Sequence, residues 1–478
     1  MRLSRTPLTA AALLVLSTSI GLAAPTRAAQ PISAGPTPDA ACAPGALPES
    51  TQGRVPLAEV QSGRAAKGYR CNAVELSHDG DNGGYHVYRY QDRAGHICAY
   101  YDTTLLLGRD MQYSVYRKGP GTVVLDMSNA RKPVQTDLLT TPAMVTPHES
   151  LRLNQKRGLL VAIAGTPVTA PGELDVYDVS KDCRHPQLQS LTPMGLLGHE
   201  SGFAPDGKTY WATSWLGSVG TLTAIDLTDP KLPKPLLMST AYVLHGVSLS
   251  DDGKTLYGAD QNAADNGAQK GLRVLDVSQV QERRPNPQIR EIAYLRWPNI
   301  STPQINEPIT VHGHPYTVEI DEFDQSGRIG AARIIDVKDP RKPRVVSNLR
   351  LAVNQPAIQP ALQDDPGFSG IQSYTGHYCA VPRRTDPNIV ACSFILSGLR
   401  VFDIRNPEKP VEVAYFNPPS PASGPDSLNP VTRVGSFAMS GPAFDVKRGQ
   451  VWYSDGNSGF YALQLEGAAR AALDGKAY

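Results

Sequence analysis

Histidines recur in this chain at a fixed place relative to a turn. His245 precedes Gly253 by eight residues, His199 precedes Gly207 by eight and His86 precedes Gly95 by nine, while His148, His314 and His377 open the corresponding strands of three further segments. Neutral imidazole is a ligand for copper, zinc, nickel and iron, so such groups gathered at one point could hold a metal. The same pattern also fits a repeat whose favoured residue is His, each ring hydrogen-bonding a loop and lining a wet channel without an ion. Glu149 and Glu200 each follow one of these histidines, in Pro-His-Glu-Ser and Gly-His-Glu-Ser. Neighbouring residues of a strand point to opposite faces, so each Glu is expected behind its His, supporting a ligand or satisfying blade backbone amides, unless the backbone bulges there.

These residues need elements to position them, and the chain supplies a repeat. A short β-branched run ending in Asp occurs six times: Gly121-Thr-Val-Val-Leu-Asp126, Leu174-Asp-Val-Tyr-Asp178, Leu222-Thr-Ala-Ile-Asp226, Gly271-Leu-Arg-Val-Leu-Asp276, Ala331-Ala-Arg-Ile-Ile-Asp336 and Gly398-Leu-Arg-Val-Phe-Asp403. A seventh copy, Gly459-Phe-Tyr-Ala-Leu-Gln464, ends in Gln. Successive Asp residues lie 52, 48, 50, 60 and 67 positions apart, a range in which periodic all-β sequence means a propeller. In the clearest unit, Leu244 to Asp260, an alternating strand meets an Asp-Asp-Gly turn and a second strand returns. The Asp-terminated strand comes third, then a turn such as Asp339-Pro-Arg-Lys-Pro343, then a fourth strand such as Val411 to Phe416.

The expectation is an all-β fold: a seven-bladed β-propeller of four-stranded antiparallel blades, closed by an N-terminal strand taken from Val55–Val60 or Cys71–Ser77. First strands line the channel of a propeller, so the six histidines should ring one of its mouths. The connections before His314 (299–313), before His377 (352–375) and before Gly441 (417–440) read as long loops on that same side.

The Gly-Leu-Arg-Val-Phe-Asp-Ile and Gly-Leu-Arg-Val-Leu-Asp-Val segments resemble the LVIVD repeat of bacterial secreted propeller-like proteins, over roughly residues 70 to 465. The resemblance implies a fold and no reaction, since propellers host many activities. Gln464 and a degenerate first unit depart from the pattern.

Arg2 and Arg5, an apolar run from Leu8 to Ala24 and small residues to Ala29 read as a signal peptide, residues 1–28, cleaved near Ala28. A Pro/Ala/Gly-rich segment (29–69), the propeller (70–466) and a tail (467–478) follow. Loss of Arg2, Arg5 and Arg27 takes the net charge from +1 to −2, which gives no footprint for nucleic acid or an anionic membrane. No apolar run is long enough to insert in a membrane, so the expected product is a secreted, extracellular or periplasmic monomer. Its six cysteines suggest disulfides. Cys379 and Cys392 lie symmetrically about Thr385-Asp386, so a hairpin there sets them opposite one another as a pair; Cys42, Cys71, Cys98 and Cys183 stay unassigned.

The first functional reading is a module that binds a protein or small molecule at the His-ringed face without chemistry. A second is a copper- or zinc-dependent oxidoreductase or hydrolase using His86, His148, His199, His245, His314 and His377, with Glu149 and Glu200 behind them. A third is a structural envelope or surface protein. Metal content separates the second from the others.

Overall fold

What shapes each blade is a side chain bonded to its own backbone. Asp126, Asp178, Asp226, Asp276, Asp336 and Asp403, the last residues of the repeated strands, each accept a hydrogen bond from the N–H two residues on, at 2.8, 2.8, 2.9, 3.0, 3.0 and 2.9 Å. This turn stops the third strand and starts the reversal into the fourth. Asn129, Asp229, Asp339 and Asn406 repeat the device three residues later. The seventh unit needs no such turn: Gln464 instead donates to the carbonyls of Arg448 and Gly449, and the chain runs on into the helix Gly467–Leu473.

The computed structural model describes residues 35–103, 120–164, 172–194, 198–216, 219–261, 270–325, 328–370, 372–420 and 435–478. Seven antiparallel sheets form the seven blades. The first holds Val87–Gln91, Ile97–Asp102, Thr122–Asp126 and Val134–Leu139, and the second Arg152–Asn154, Leu159–Ile163, Glu173–Asp178 and Gln187–Pro193. Ser201–Phe203, Thr209–Leu216, Val219–Asp226 and Lys234–Ser239 make the third; Val247–Leu249, Thr255–Asp260, Gly271–Asp276 and Arg290–Leu295 make the fourth. The fifth comprises Thr302–Val311, His314–Glu322, Ala332–Asp336 and Arg344–Leu349, and the sixth Gly376–Ala380, Ile389–Phe394, Gly398–Asp403 and Val411–Asn417, with Tyr69–Cys71 added outside it. In the seventh, Ala73–Asp79 pairs antiparallel with Gly459–Leu465, beside Gln450–Asp455 and Ala443–Asp445.

First strands meet across blades in parallel register, as Glu149 with Glu200 and His86 with Gly441. Apolar side chains of neighbouring blades merge into shared cores. Leu160, Ala162 and Tyr177 of the second blade pack with Cys98, Tyr100 and Val124 of the first. The Arg at the third position of three of the repeat copies is paired with acids at each place: Arg273 with Asp260 and Glu291, Arg333 with Glu319 and Asp321, Arg400 with Glu412 and Glu49.

Two sequence expectations are corrected. Residues 302–311 are the inner strand of the fifth blade, not a loop: the true turn is His312-Gly313, with φ of 51° and 74°, which suits a tight two-residue hairpin. Pro303 and Pro308 had masked a strand whose neighbour lies on one side. Val55–Val60 is not a strand either, because Pro56 cannot donate to a ladder and instead begins the helix α1, Leu57–Gln61. The connection between Leu349 and Gly376 is long; within it Ala352–Asn354 and Pro356–Leu362 form 3-10 turns, and Asp365 ion-pairs with Arg54 of the N-terminal segment. Most of the third expected loop, 421–434, lies outside the described residues, as does the expected signal peptide.

All six cysteines are bridged: Cys42–Cys71, Cys98–Cys183 and Cys379–Cys392. Cys379 and Cys392 are directly opposed in their hairpin, with Cα atoms 4.0 Å apart. Among the described residues no helix is long and apolar enough to cross a membrane. The Cys98–Cys183 bridge ties the first blade to the second across 85 residues, whereas Cys379–Cys392 spans 13. Loop-closure entropy then predicts a larger loss of stability for Cys98→Ser/Cys183→Ser, about 4.5 kcal/mol, than for Cys379→Ser/Cys392→Ser, about 3 kcal/mol. Urea unfolding of the two double variants checks the order.

Candidate functional site

A short helical turn, Pro142–Val145, leads the second blade to Pro147 and His148. His148 has φ of 49°, a left-handed conformation that reverses the local alternation and lets both His148 and Glu149 face the channel. Its ring lies 4.7 Å from that of Tyr85 and 4.5 Å from that of His199, which in turn is 4.4 Å from His245. Tyr85 is also 5.5 Å from His377. The arc of rings therefore runs His245, His199, His148, Tyr85, His377, and Gln304 of the fifth blade fills its gap.

Glu149 sits inside this arc, 2% exposed. Its Oε2 is 3.4 Å from His199 Nε2 and 3.3 Å from His245 Nε2, and its Oε1 is 3.1 Å from His377 Nε2. Gln304 Nε2 donates to Oε1 at 2.6 Å. Glu149 Oε2 accepts no hydrogen bond. The reason lies on the far side of the rings: His245 Nδ1 bonds the carbonyl of Gln304 at 3.1 Å and His377 Nδ1 that of Met439 at 2.9 Å. A carbonyl only accepts, so Nδ1 carries the proton and Nε2 turns a lone pair toward the carboxylate. The Nε2 atoms of His199 and His245 are 2.7 Å apart.

Burial pushes the imidazoles of His199 well below their usual pKa and of His245 down to about 4, so both are neutral at pH 7. Burial also opposes charge on Glu149, and only positive charge on His245, His377 and His199 would outweigh it and hold its carboxyl well below the usual range; with neutral rings that compensation is absent. A second carboxyl, Glu322, arrives from the end of the neighbouring strand, 3.7 Å from His245 Nε2 and 3.6 Å from His377 Nε2. Burial, with the charge of Glu149 added, raises its pKa well above the ordinary value. Two carboxyl groups and the Nε2 atoms of His199, His245 and His377 gathered within 3.1 to 3.7 Å make an arrangement rich in lone pairs. Among the described residues no Lys or Arg ion-pairs with Glu149.

The other expected residues are elsewhere. His86 lies one layer further along the channel, its Nε2 3.0 Å from the Glu149 carbonyl and its ring 4.6 Å from Tyr378. Glu200 is turned the same way, ion-paired with Arg152 and accepting from the Tyr378 hydroxyl. His314 is not at the mouth: it opens the second strand of its blade, beyond the His312-Gly313 turn, and bonds Asp336 at 2.8 Å. Gln304 holds the equivalent place on the inner strand and was hidden by the misplaced turn. Glu322 and Tyr85 carry no sequence signal, since each is brought in from a different strand or layer.

Fold and site together define a seven-bladed β-propeller with a buried His–Glu cluster at one end of its channel. The chain is similar to hydrazine synthase of Kuenenia stuttgartiensis (11% identity, 81% of this chain and 97% of that one, TM-score 0.48). It is also similar to the periplasmic gluconolactonase PpgL of Pseudomonas aeruginosa (13%, 73% and 93%, 0.46) and to a chain of the mitotic checkpoint complex (7%, 84% and 93%, 0.50). No protein-family model matches the chain, and no curated protein matches it.

The left-handed backbone at His148 gives a direct check. His148→Gly should unfold at the same urea concentration as the native protein or a slightly higher one, whereas His148→Val should lose about 1–3 kcal/mol, because a β-branched residue is strained at positive φ. Equal midpoints for the two variants would show that the site does not need this conformation.

Proposed function

We propose that this chain is an exported, LVIVD-type propeller that binds one first-row transition-metal ion at the channel mouth, through His199, His245, His377 and Glu149. One observation carries the reading. Lone-pair-bearing Nε2 atoms face a carboxylate at 3.1 to 3.4 Å with no ring proton between His245 or His377 and the oxygens. Acceptors turned on one another repel, and a buried anion without a cation is costly. Metal bonds of 2.0–2.1 Å in a tetrahedron put neighbouring ligand atoms about 3.3 Å apart, which matches these separations.

Three imidazoles and a carboxylate suit zinc, copper or iron better than magnesium or calcium. The backbone carbonyls that fix Nδ1 of His245 and His377, and the Gln304 amide on Glu149, are outer contacts of the kind such a site requires. The ion decides the chemistry: zinc supplies Lewis-acid, hydrolytic catalysis, while copper or iron supplies redox catalysis. Six repeats in register support the LVIVD assignment, and the three disulfides with the N-terminal apolar run support export. A metal-free binding module is the second reading, favoured by the 2.7 Å contact between His199 and His245, which is a hydrogen-bond length.

Elemental analysis and zinc or copper titration of the chelator-stripped protein test the proposal. We expect one ion per chain, lost in His199→Ala/His245→Ala and retained in His314→Ala. Gln304→Leu should weaken binding about 10–100-fold. An unchanged ion content in the double variant, or no uptake of zinc, copper or iron by the native chain, overturns it in favour of the metal-free module.

A further inference from the structure

One layer past the His–Glu cluster the channel opens into a cavity of ≈ 390 Å³ whose walls are largely apolar, including Leu153, Phe203, Val247 and Ile305. Volumes of this order hold small organic molecules, and such sites are apolar with a few placed polar groups. Those groups are present here, and they lack partners. Asn306 is fully buried and lines the cavity, yet neither its amide nitrogen nor its amide oxygen makes a hydrogen bond. Ser248, 7% exposed on the same wall, has a hydroxyl in the same state. A buried polar group left unpaired costs about 1–3 kcal/mol, so two in one cavity call for a reason.

Apart from Lys156, exposed at the rim, charge on the lining is answered within the protein. Arg152 is ion-paired with Glu200, and Arg384 lies 3.5 Å from Glu307 while donating to the Leu249 carbonyl at 2.9 Å. Burial, reinforced by Arg152, keeps His86 neutral. What the buried part of the cavity leaves unmet is therefore uncharged: one carboxamide, with its donor and acceptor side by side in a plane, and one hydroxyl.

We propose that this cavity is a binding site for a small neutral molecule bearing an adjacent N–H and C=O, such as a lactam, a cyclic imide or the edge of a pyrimidine base. The Asn306 amide pairs with that edge through two parallel hydrogen bonds, Ser248 takes a third, and the apolar walls cover the ring faces. Asn306 stands two residues from Gln304 on one strand, a step of about 7 Å, so the ligand lies beneath the His–Glu cluster and its site does not depend on a metal.

Uracil and δ-valerolactam serve as neutral probes, with glutarate and putrescine as charged ones, each titrated by ligand-observed NMR and calorimetry. Uracil should bind the native protein at about millimolar concentration or tighter, and Asn306→Leu should weaken it about tenfold or more. Asn306→Leu should itself fold, with an unfolding midpoint equal to or above native, because it removes an unpaired buried amide. Ser248→Ala provides a milder second variant with a smaller loss. His199→Ala/His245→Ala should bind uracil as the native protein does, which separates this site from the metal proposal. Failure of both neutral probes to bind, equal binding by the native and Asn306→Leu proteins, or tighter binding of glutarate or putrescine than of uracil overturns the assignment and leaves a hydrated channel.

Discussion

A four-stranded blade has two faces to cover and too little chain to cover them alone, so each blade must be packed between two others. That requirement, met by shared apolar cores such as the one joining Tyr100, Leu160 and Tyr177, arranges the sheets about a common axis. Everything at the channel follows from it. First strands that run side by side present equivalent residues to one point, which is how His199 and His245, 46 residues apart in the chain, come to have ring nitrogens in contact.

Equivalence by repeat is then broken where the chemistry is. Glu149 and Glu200 are partners in the parallel register of two inner strands, yet one carboxylate meets three imidazoles and the other meets Arg152 and Tyr378. The local cause is the left-handed residue His148, which turns the backbone by one strand position. A strict repeat would give a ring of like residues; the departure gives an acidic centre inside a ring of bases.

The channel is thus divided into two chemically different storeys. At the mouth, lone pairs converge on a carboxylate that no Lys or Arg neutralises, among the described residues. Further along, guanidinium and carboxylate groups are matched, and the groups without partners are the neutral Asn306 and Ser248. The first storey suits the proposed cation and the second the proposed uncharged molecule with hydrogen-bonding edges. Gln304 and Asn306, two residues apart on one strand, belong one to each.

Local rules determined the blades. An Asp that bonds the N–H two residues ahead, an Asp-Gly turn and an alternating strand are each complete within a few residues, so the seven copies and the Cys379–Cys392 pair were legible in the chain. His199 and His245 could be aligned for the same reason, as each stands eight residues before a turn glycine, and His148 and His377 because each opens the corresponding strand of its unit. Tertiary structure decided what those histidines surround. Glu149 reaches them through one backbone angle, Glu322 arrives from the far end of a different strand, and Gln304 replaces His314 because the fifth hairpin turns at His312-Gly313. The depth of burial that lowers the pKa of His245 and raises that of Glu322 is likewise a property of the ring of blades, since no single repeat excludes water from its own inner strand.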